Sequence, residues 1–181
     1  TIRGEIEHAA RVLRAQVAVG DDEAVALLHQ ALEEELALAR NRVFLLLSFL
    51  YEARPILRAE EQIANGDGNA QALALETLEV TLSGELKATV IALVDPKLTL
   101  EKRLAALGGQ AAASDRDFQL RAIIADPERV WTHGWTRACA IYAAGRLGLT
   151  ALRDAIQSAL KTESEHPIPE TARWALQQLT V

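Results

Sequence analysis

Residues 136–148 read TRACAIYAAGRLG, with small or apolar side chains at the spacing i, i+3, i+4 and i+7. These side chains are Ala140, Ala143, Ala144 and Leu147. About 32 residues later the segment PETARWALQQL at 169–179 repeats the spacing with Ala172, Ala175, Leu176 and Leu179. Small residues at this spacing lie on one helix face and let two helices pack closely. A helical unit that returns at this interval predicts a stack of helical hairpins.

The composition of the whole chain also favours helices. Half of the 181 residues are hydrophobic but only 4% are aromatic, so the apolar residues are mostly Ala and Leu, which are strong helix formers. Val and Ile do not alternate with polar residues in runs flanked by turn residues, so no strand is predicted. We therefore expect an all-α chain of stacked antiparallel helical hairpins, which is a short α-solenoid.

Turn-forming residues divide the chain into helices with short connections. The predicted helices cover 2–19, 22–51, 55–64, 69–82, 85–94, a segment capped by Thr99 and ending at Leu107, a segment capped by Ser114 and ending at Ala125, 136–148, 150–161 and 169–179. The stretch 108–113 is the most linker-like. We expect one helical-repeat domain over 1–181 with a soft boundary near 108–114, which separates divergent hairpins (1–107) from clearer repeats (114–181).

Net charge and hydropathy limit the partners of the chain. A formal net charge of −6 and a pI near 5.3 disfavour a nucleic-acid surface, which needs clustered Lys and Arg, and also disfavour docking on anionic lipid. The longest apolar stretch, 43–51, is far shorter than the roughly 20 residues that span a bilayer. We therefore expect no nucleic-acid partner and no direct membrane insertion. The chain contains no methionine, which suggests a piece of a longer protein.

Two resemblances refine this expectation. Residues 126–179 resemble HEAT repeats, with an Asp-Pro turn, an Arg-rich helix that contains paired alanines, and then a second helix that ends in a short polar loop. The segments ALEEEL (31–36), ARNRVFLLL (39–47) and ALALETLE (72–79) resemble HEAT-repeat regions of bacterial membrane transporters related to ATP/ADP carriers. These resemblances imply a scaffold that contacts proteins, in the cytoplasm and tethered to a membrane through flanking segments. The partner is then another protein or a neighbouring domain; the oligomeric state stays open.

Catalytic and cofactor motifs are not found in the sequence. The four histidines lack the i, i+4 spacing of a helical metal site, and neither a glycine-rich phosphate loop nor a nucleophile elbow occurs. Cys139 lies among alanines, where a small buried hydrophobe is favoured over a reactive thiol. We therefore expect no cofactor, no metal and no enzymatic activity. The alternative is a HEAT-like enzyme, since bilin lyases and DNA alkylation-repair glycosylases are related folds, but neither signature is present.

A possible charge network lies in the first half. Arg40 and Arg42 precede an all-apolar segment, so their guanidinium groups are expected to be partly desolvated and to attract carboxylates from neighbouring helices. The candidate partners are Glu76 and Glu79, together with Glu60 and Glu61. Solvated surface charge, an interhelical charge network and a catalytic carboxylate pair remain the three interpretations.

A possible partner-binding surface lies in the last third, where Trp and Arg are concentrated, since these residue types often dominate binding energy. The candidates are Trp131, Trp135, Arg137 and Arg173. Trp131 and Trp135 share a face if one helix includes both. The alternative is that the tryptophans, Trp174 included, pack in the last repeat. We expect Trp131 or Trp135 to be at least partly exposed to solvent.

Overall fold

A computed structural model describes residues 1–109, 115–164 and 166–180, and all regular structure in these residues is helical. The α-helices are α1 (Ile2–Val19), α2 (Ala26–Leu50), α3 (Ala53–Asn65), α4 (Gly68–Thr81), α5 (Glu85–Val94), α6 (Leu100–Ala106), α7 (Arg116–Ala125), α8 (Gly134–Arg146), α9 (Arg153–Thr162) and α10 (Ile168–Gln178). Two short 3-10 helices cover Glu23–Val25 and Thr150–Leu152. The all-α prediction is confirmed for the described residues. None of the helices described there combines the length and apolar character that crossing a bilayer requires.

Some helix boundaries agree with the prediction and others differ by up to four residues, since α2 begins at Ala26 and not at residue 22. Helices α1 and α5 begin and end where the sequence predicts. The Thr99 hydroxyl accepts a hydrogen bond from the Lys102 backbone N–H at 3.4 Å, as an N-cap should. Ser114, the predicted cap of α7, and most of the predicted linker lie outside the described residues, while the side chain of Asp115 caps α7.

Helix α8 begins two residues earlier than predicted, but not early enough to include Trp131. This helix begins at Gly134, after His133 in an extended conformation, so Trp131 lies in the preceding loop. The loop is held by the Asp126 carboxylate, which accepts a hydrogen bond from the Val130 backbone N–H at 2.8 Å. Trp131 and Trp135 therefore do not share a helix face, because the backbone between them is not helical.

The chain divides into two compact units. The first unit contains the described residues of 1–14 and 36–111, and the second unit contains those of 15–35 and 112–181. Helices α1 and α2 thus contribute residues to both units. The division within these two helices was not expected from the sequence, because it falls inside continuous helices without turn residues.

In the first unit α3 and α4 are joined by two residues and pack along each other. Their buried faces carry Ile56 and Ala59 on α3 and Ala74 and Leu78 on α4. Helix α5 contacts both α4 and α6. Helices α3 to α6 of this unit therefore pack on their neighbours in the sequence and bury aliphatic side chains.

In the second unit α7 packs with α8, and α9 packs with α10. In addition, α7 contacts α9, and α8 makes extensive contact with α10. A Cβ atom added to Gly145 would lie 2.9 Å from the Trp174 ring and 3.0 Å from the Cα of Ala175. The two helices with the repeated spacing therefore do pack on each other, at a distance that requires small side chains.

Candidate functional site

Helix α8 has a second row of apolar side chains, and this row lines a cavity. Its members follow the spacing i, i+3, i+4 and i+7: they are Trp135, Ala138, Cys139 and Tyr142. With Leu27 of α2 and Thr171 of α10 they line a cavity of about 100 Å³, which we call the Trp135 groove. Trp135 is 44% exposed and Leu27 is 43% exposed. The groove therefore presents large apolar side chains to solvent.

One wall of the Trp135 groove is aromatic and held in place by neighbouring side chains. The Tyr142 ring stacks on the Trp174 ring with centroids 4.9 Å apart and planes at 19°. The Arg146 guanidinium lies 5.9 Å from the centre of the Tyr142 ring and donates a hydrogen bond to the Tyr142 hydroxyl at 3.1 Å. These contacts restrict the rotamer of Tyr142, so the wall loses little conformational entropy when it is covered.

Cys139 lies at the floor of the groove and is buried. Burial and, to a smaller extent, the negative charge of Glu34 together raise the pKa of its thiol to about 12. The thiol is therefore protonated at neutral pH and is a poor nucleophile. Cys139 acts as a small apolar residue here, as its neighbours in the sequence indicate.

The acidic charge of the chain is concentrated in the second unit. The first unit has equal numbers of acidic and basic residues, so the net charge of −6 belongs to the second unit. Residues 15–35 contribute six carboxylates and no Lys or Arg. Glu34 is exposed and lies seven residues after Leu27, on the same face of α2. The α2 side of the Trp135 groove is therefore acidic.

The structure separates the predicted partner-binding residues. Trp135 is exposed, as expected for at least one of the two tryptophans, while Trp131 is buried. Arg173 is exposed and lies 4.0 Å from the Glu170 carboxylate, and Trp174 is half-buried against Tyr142. Of the four candidates, only Trp135 and Arg173 are thus exposed to solvent.

Arg137 requires a correction, because it is only 7% exposed and lies in the interior of the second unit. Its Nη2 and Nε atoms donate to the Ile124 carbonyl at 2.9 and 3.3 Å, and its Nη1 atom donates to the Glu163 carboxylate at 2.8 Å. The side chain thus satisfies a carbonyl in the last turn of α7, where helices leave acceptors unpaired. It belongs to the framework of the unit and not to a partner surface.

Sequence reasoning missed Glu35, which is 1% exposed. Its Oε1 atom accepts hydrogen bonds from the Thr132 and His133 backbone N–H groups at 2.9 and 3.3 Å, and from the Thr136 hydroxyl at 3.1 Å. The carboxylate therefore supplies the negative charge that a helix start favours, at the beginning of α8. A signal was present: Glu35 is spaced i+7 from Leu28 and i+3 from Leu32, on the buried face of α2.

The predicted charge network is also wrong in its partners. Arg42 lies 3.7 Å from the Glu5 carboxylate, and the Nε atom of Arg40 donates to the Leu93 carbonyl at 3.2 Å. Glu76 and Glu79 are exposed. The reason is the rotation of α4, which buries the face carrying Ala74 and Leu78, so both glutamates lie on the side away from the core.

Arg40 is half-buried and instead lies near a buried arginine, Arg103. Burial and, to a smaller extent, the positive charge of Arg103 together lower the pKa of Arg40 to about 10. Arg103 is 8% exposed; its Nη2 atom donates to the Asp95 carbonyl at 2.8 Å, while its Nε atom has no hydrogen-bond partner among the described residues. Burial also lowers the pKa of Arg103, against the opposing effect of the Asp95 charge. Both arginines thus bind carbonyl oxygens around the end of α5.

Neither a search for metal-binding groups among the described residues nor comparison with known proteins indicates a function. Within residues 1–109, 115–164 and 166–180, no group of three or more His, Cys, Asp or Glu side chains is placed to hold a metal ion. Comparison of the chain with protein-family models, curated proteins and solved structures found no significant match. The function must therefore be argued from the geometry of the two units.

Proposed function

We propose that this chain is a non-enzymatic helical-repeat interaction module whose Trp135 groove receives a basic amphipathic α-helix of a protein partner. The observation that carries the proposal is the groove beside α8, in which the exposed Trp135 and the half-buried Tyr142 lie two turns apart, with the exposed Leu27 of α2 also in its lining. A partner helix with apolar side chains at i, i+3 or i+4, and i+7 matches this spacing.

The packing of the second unit supports a HEAT-like interpretation. Helices α7 and α8 form one hairpin and α9 and α10 another; the first helices of the two hairpins contact each other, and so do the second helices. We infer that this is a short piece of an α-solenoid, in which stacked hairpins form a rigid surface for partners. The close α8–α10 contact at Gly145 gives the surface its rigidity.

The size of the groove favours a protein partner over a small-molecule substrate. Small-molecule sites enclose about 300–1,000 Å³, whereas this cavity measures about 100 Å³. That volume suits one anchoring aliphatic side chain. The exposed Trp135 ring beside it then provides the large contact area that is typical of a binding hot spot.

The charge of the groove selects the type of helix. The Gln30 side chain donates a hydrogen bond to the Glu34 carboxylate at 3.2 Å, which fixes this carboxylate beside the Leu27 face. Residues 15–35 offer no positive charge to oppose it. A Lys or Arg at the edge of the partner's apolar stripe would complement Glu34 and set the register of the helix.

Selection of helical peptides from a display library against the full chain tests the proposal. We expect the selected peptides to combine an apolar stripe with Lys or Arg, and Trp135→Ala to weaken their binding at least about tenfold. Glu34→Lys should weaken it as well. Phe118→Ala is the matched control, because Phe118 is an exposed aromatic residue of the same unit that does not line the groove. Peptides that bind Trp135→Ala unchanged would contradict the proposal.

We further propose that the module works in the cytoplasm beside a membrane transporter. This rests on the resemblance of 31–36, 39–47 and 72–79 to the HEAT-repeat regions of ATP/ADP-carrier-like proteins. The neighbouring coding sequence provides the test. Several membrane-spanning segments next to this module would support the proposal, and a parent protein lacking them would contradict it.

A further inference from the structure

The first unit contains a separate cleft between α3 and α4. Its volume is about 420 Å³, which is within the range of small-molecule sites. Arg54, Arg58 and Gln62 line it from α3, and Leu73 and Thr77 line it from α4. On each wall the lining residues are spaced four apart in the sequence, so their side chains lie on one helix face and follow one another along the cleft.

The two arginines bring uncompensated positive charge to this cleft. Arg54 and Arg58 are exposed, and neither forms an ion pair or a hydrogen bond with another described residue. Like charges at i and i+4 disfavour a helix, so folding alone does not explain their placement. Glu52 also lines the cleft and offsets one charge, which leaves the lining net positive.

The other groups define the orientation of a ligand. The Thr77 hydroxyl donates its proton to the Leu73 carbonyl at 2.8 Å, so towards the cleft it can only accept a hydrogen bond. The Leu73 side chain is exposed and gives the α4 wall an apolar surface. An anionic group therefore belongs on the α3 side, and an apolar body belongs on the α4 side.

We propose that this cleft binds a small organic oxyanion, a phosphate monoester or a carboxylate, with an apolar body. Guanidinium groups bind both oxyanions through paired N–H donors, and the Gln62 amide adds a neutral donor one turn further along α3. The apolar body covers Leu73. This proposal does not depend on the Trp135 groove, which lies in the other unit.

Titration of the isotope-labelled full chain by NMR tests the proposal with three probes: phenyl phosphate, benzoate and inorganic phosphate. We expect saturable shifts at the Arg54 and Arg58 side-chain N–H groups and at the Leu73 methyl groups. Phenyl phosphate should bind at least about five times more tightly than inorganic phosphate, because its ring covers apolar surface. Whichever of phenyl phosphate and benzoate binds more tightly shows whether the cleft prefers a phosphate monoester or a carboxylate. Equal affinity for phenyl phosphate and inorganic phosphate would overturn the assignment of an apolar body.

Matched variants separate this site from general charge attraction. The double variant Arg54→Gln, Arg58→Gln should weaken phenyl phosphate binding at least about tenfold. Arg3→Gln, which removes another exposed arginine of the same unit, should leave the affinity unchanged. Glu52→Gln should strengthen binding, because it removes the opposing charge. Shifts that do not saturate and appear equally at Arg3 would overturn the proposal, as would a double variant with unchanged affinity.

Discussion

In the second unit each of two buried charged side chains lies against groups of complementary polarity, whereas in the first unit the buried Arg103 lies close to another arginine, the half-buried Arg40. Glu35 accepts three hydrogen bonds at the start of α8, and Arg137 binds a carbonyl and a carboxylate. Arg40 and Arg103 repel each other, and Arg103 keeps one buried donor without a partner among the described residues. Buried charge thus stabilises the second unit more effectively, since an unsatisfied donor or a like charge costs free energy.

The two units also differ in how closely their helices pack, and the closer contact is again in the second unit. Helices α8 and α10 approach so closely that even one added methyl group at Gly145 would meet a ring and a backbone atom. Helices α3 and α4 instead bury a mixture of small and large side chains, such as Ala59 and Leu78, and leave Leu73 exposed. The second unit should therefore be more sensitive to added volume.

The largest effect is expected from Glu35→Ala. It removes the acceptor for two backbone N–H groups and a hydroxyl at the start of α8, and should lower the free energy of unfolding by about 3 kcal/mol. Urea denaturation followed by circular dichroism measures this loss. Glu34→Ala is the control, because the Glu34 carboxylate is next in the sequence but exposed to solvent. This variant should change the free energy of unfolding by less than about 0.5 kcal/mol. Equal losses would show that Glu35 is not an anchor of the second unit.

Gly145→Ala tests the small-residue contact. The new methyl group would lie within 3.0 Å of Ala175, so the variant should lose about 2 kcal/mol despite the better helix propensity of Ala. Gly134→Ala is the matched control on the same helix, where the methyl group would meet only the end of the Ile168 side chain at 3.4 Å. A Gly145→Ala variant as stable as the wild type in thermal denaturation would mean that α8 and α10 are less closely packed.

Replacing one arginine in each unit with Met compares their buried charges directly. Arg137→Met leaves the Ile124 carbonyl and the Glu163 carboxylate unpaired and should cost about 2 kcal/mol. Arg103→Met leaves the Asp95 carbonyl without this donor, but it also removes an unsatisfied donor and the repulsion of Arg40 while it keeps an aliphatic stem. It should therefore cost less than Arg137→Met, about 1 kcal/mol. Chemical denaturation of the two variants in parallel measures the difference. The comparison between units fails if Arg103→Met is the more damaging change.

The smallest effect concerns the pH dependence of the Arg137–Glu163 pair. The hydrogen bond from Arg137 holds the pKa of Glu163 below its usual value. The ionised carboxylate therefore favours the folded state above its unfolded pKa, and this stabilisation is lost as the pH falls through the folded pKa. Glu163→Gln should cost less than about 1 kcal/mol at pH 7, because the side chain is partly exposed, and this cost should diminish towards pH 3. A cost that does not depend on pH would contradict the ionic contribution.

Periodicity and capping residues predicted the helices well because both act within a few residues. Thr99 caps α6 as expected, and α1 and α5 have their predicted ends. The Ala140 and Ala172 faces were identified from spacing alone, and all of their alanines are buried, while Leu147 and Leu176 remain partly exposed. The exposure of Trp135 was expected only as one of two possibilities, since the sequence does not show that α8 begins at Gly134 and leaves Trp131 in a loop.

The sequence by itself determined that this chain is helical and which small residues recur, because propensity and period are local properties of the backbone. Tertiary structure decided the partners of the charged side chains. Arg42 lies beside Glu5 and not beside Glu76, and Glu35 caps a helix about 100 residues away. A long side chain on a helix can reach several elements, so its partner depends on the rotation and approach of whole helices. These are set by the sum of many packing contacts, which no single spacing in the sequence encodes.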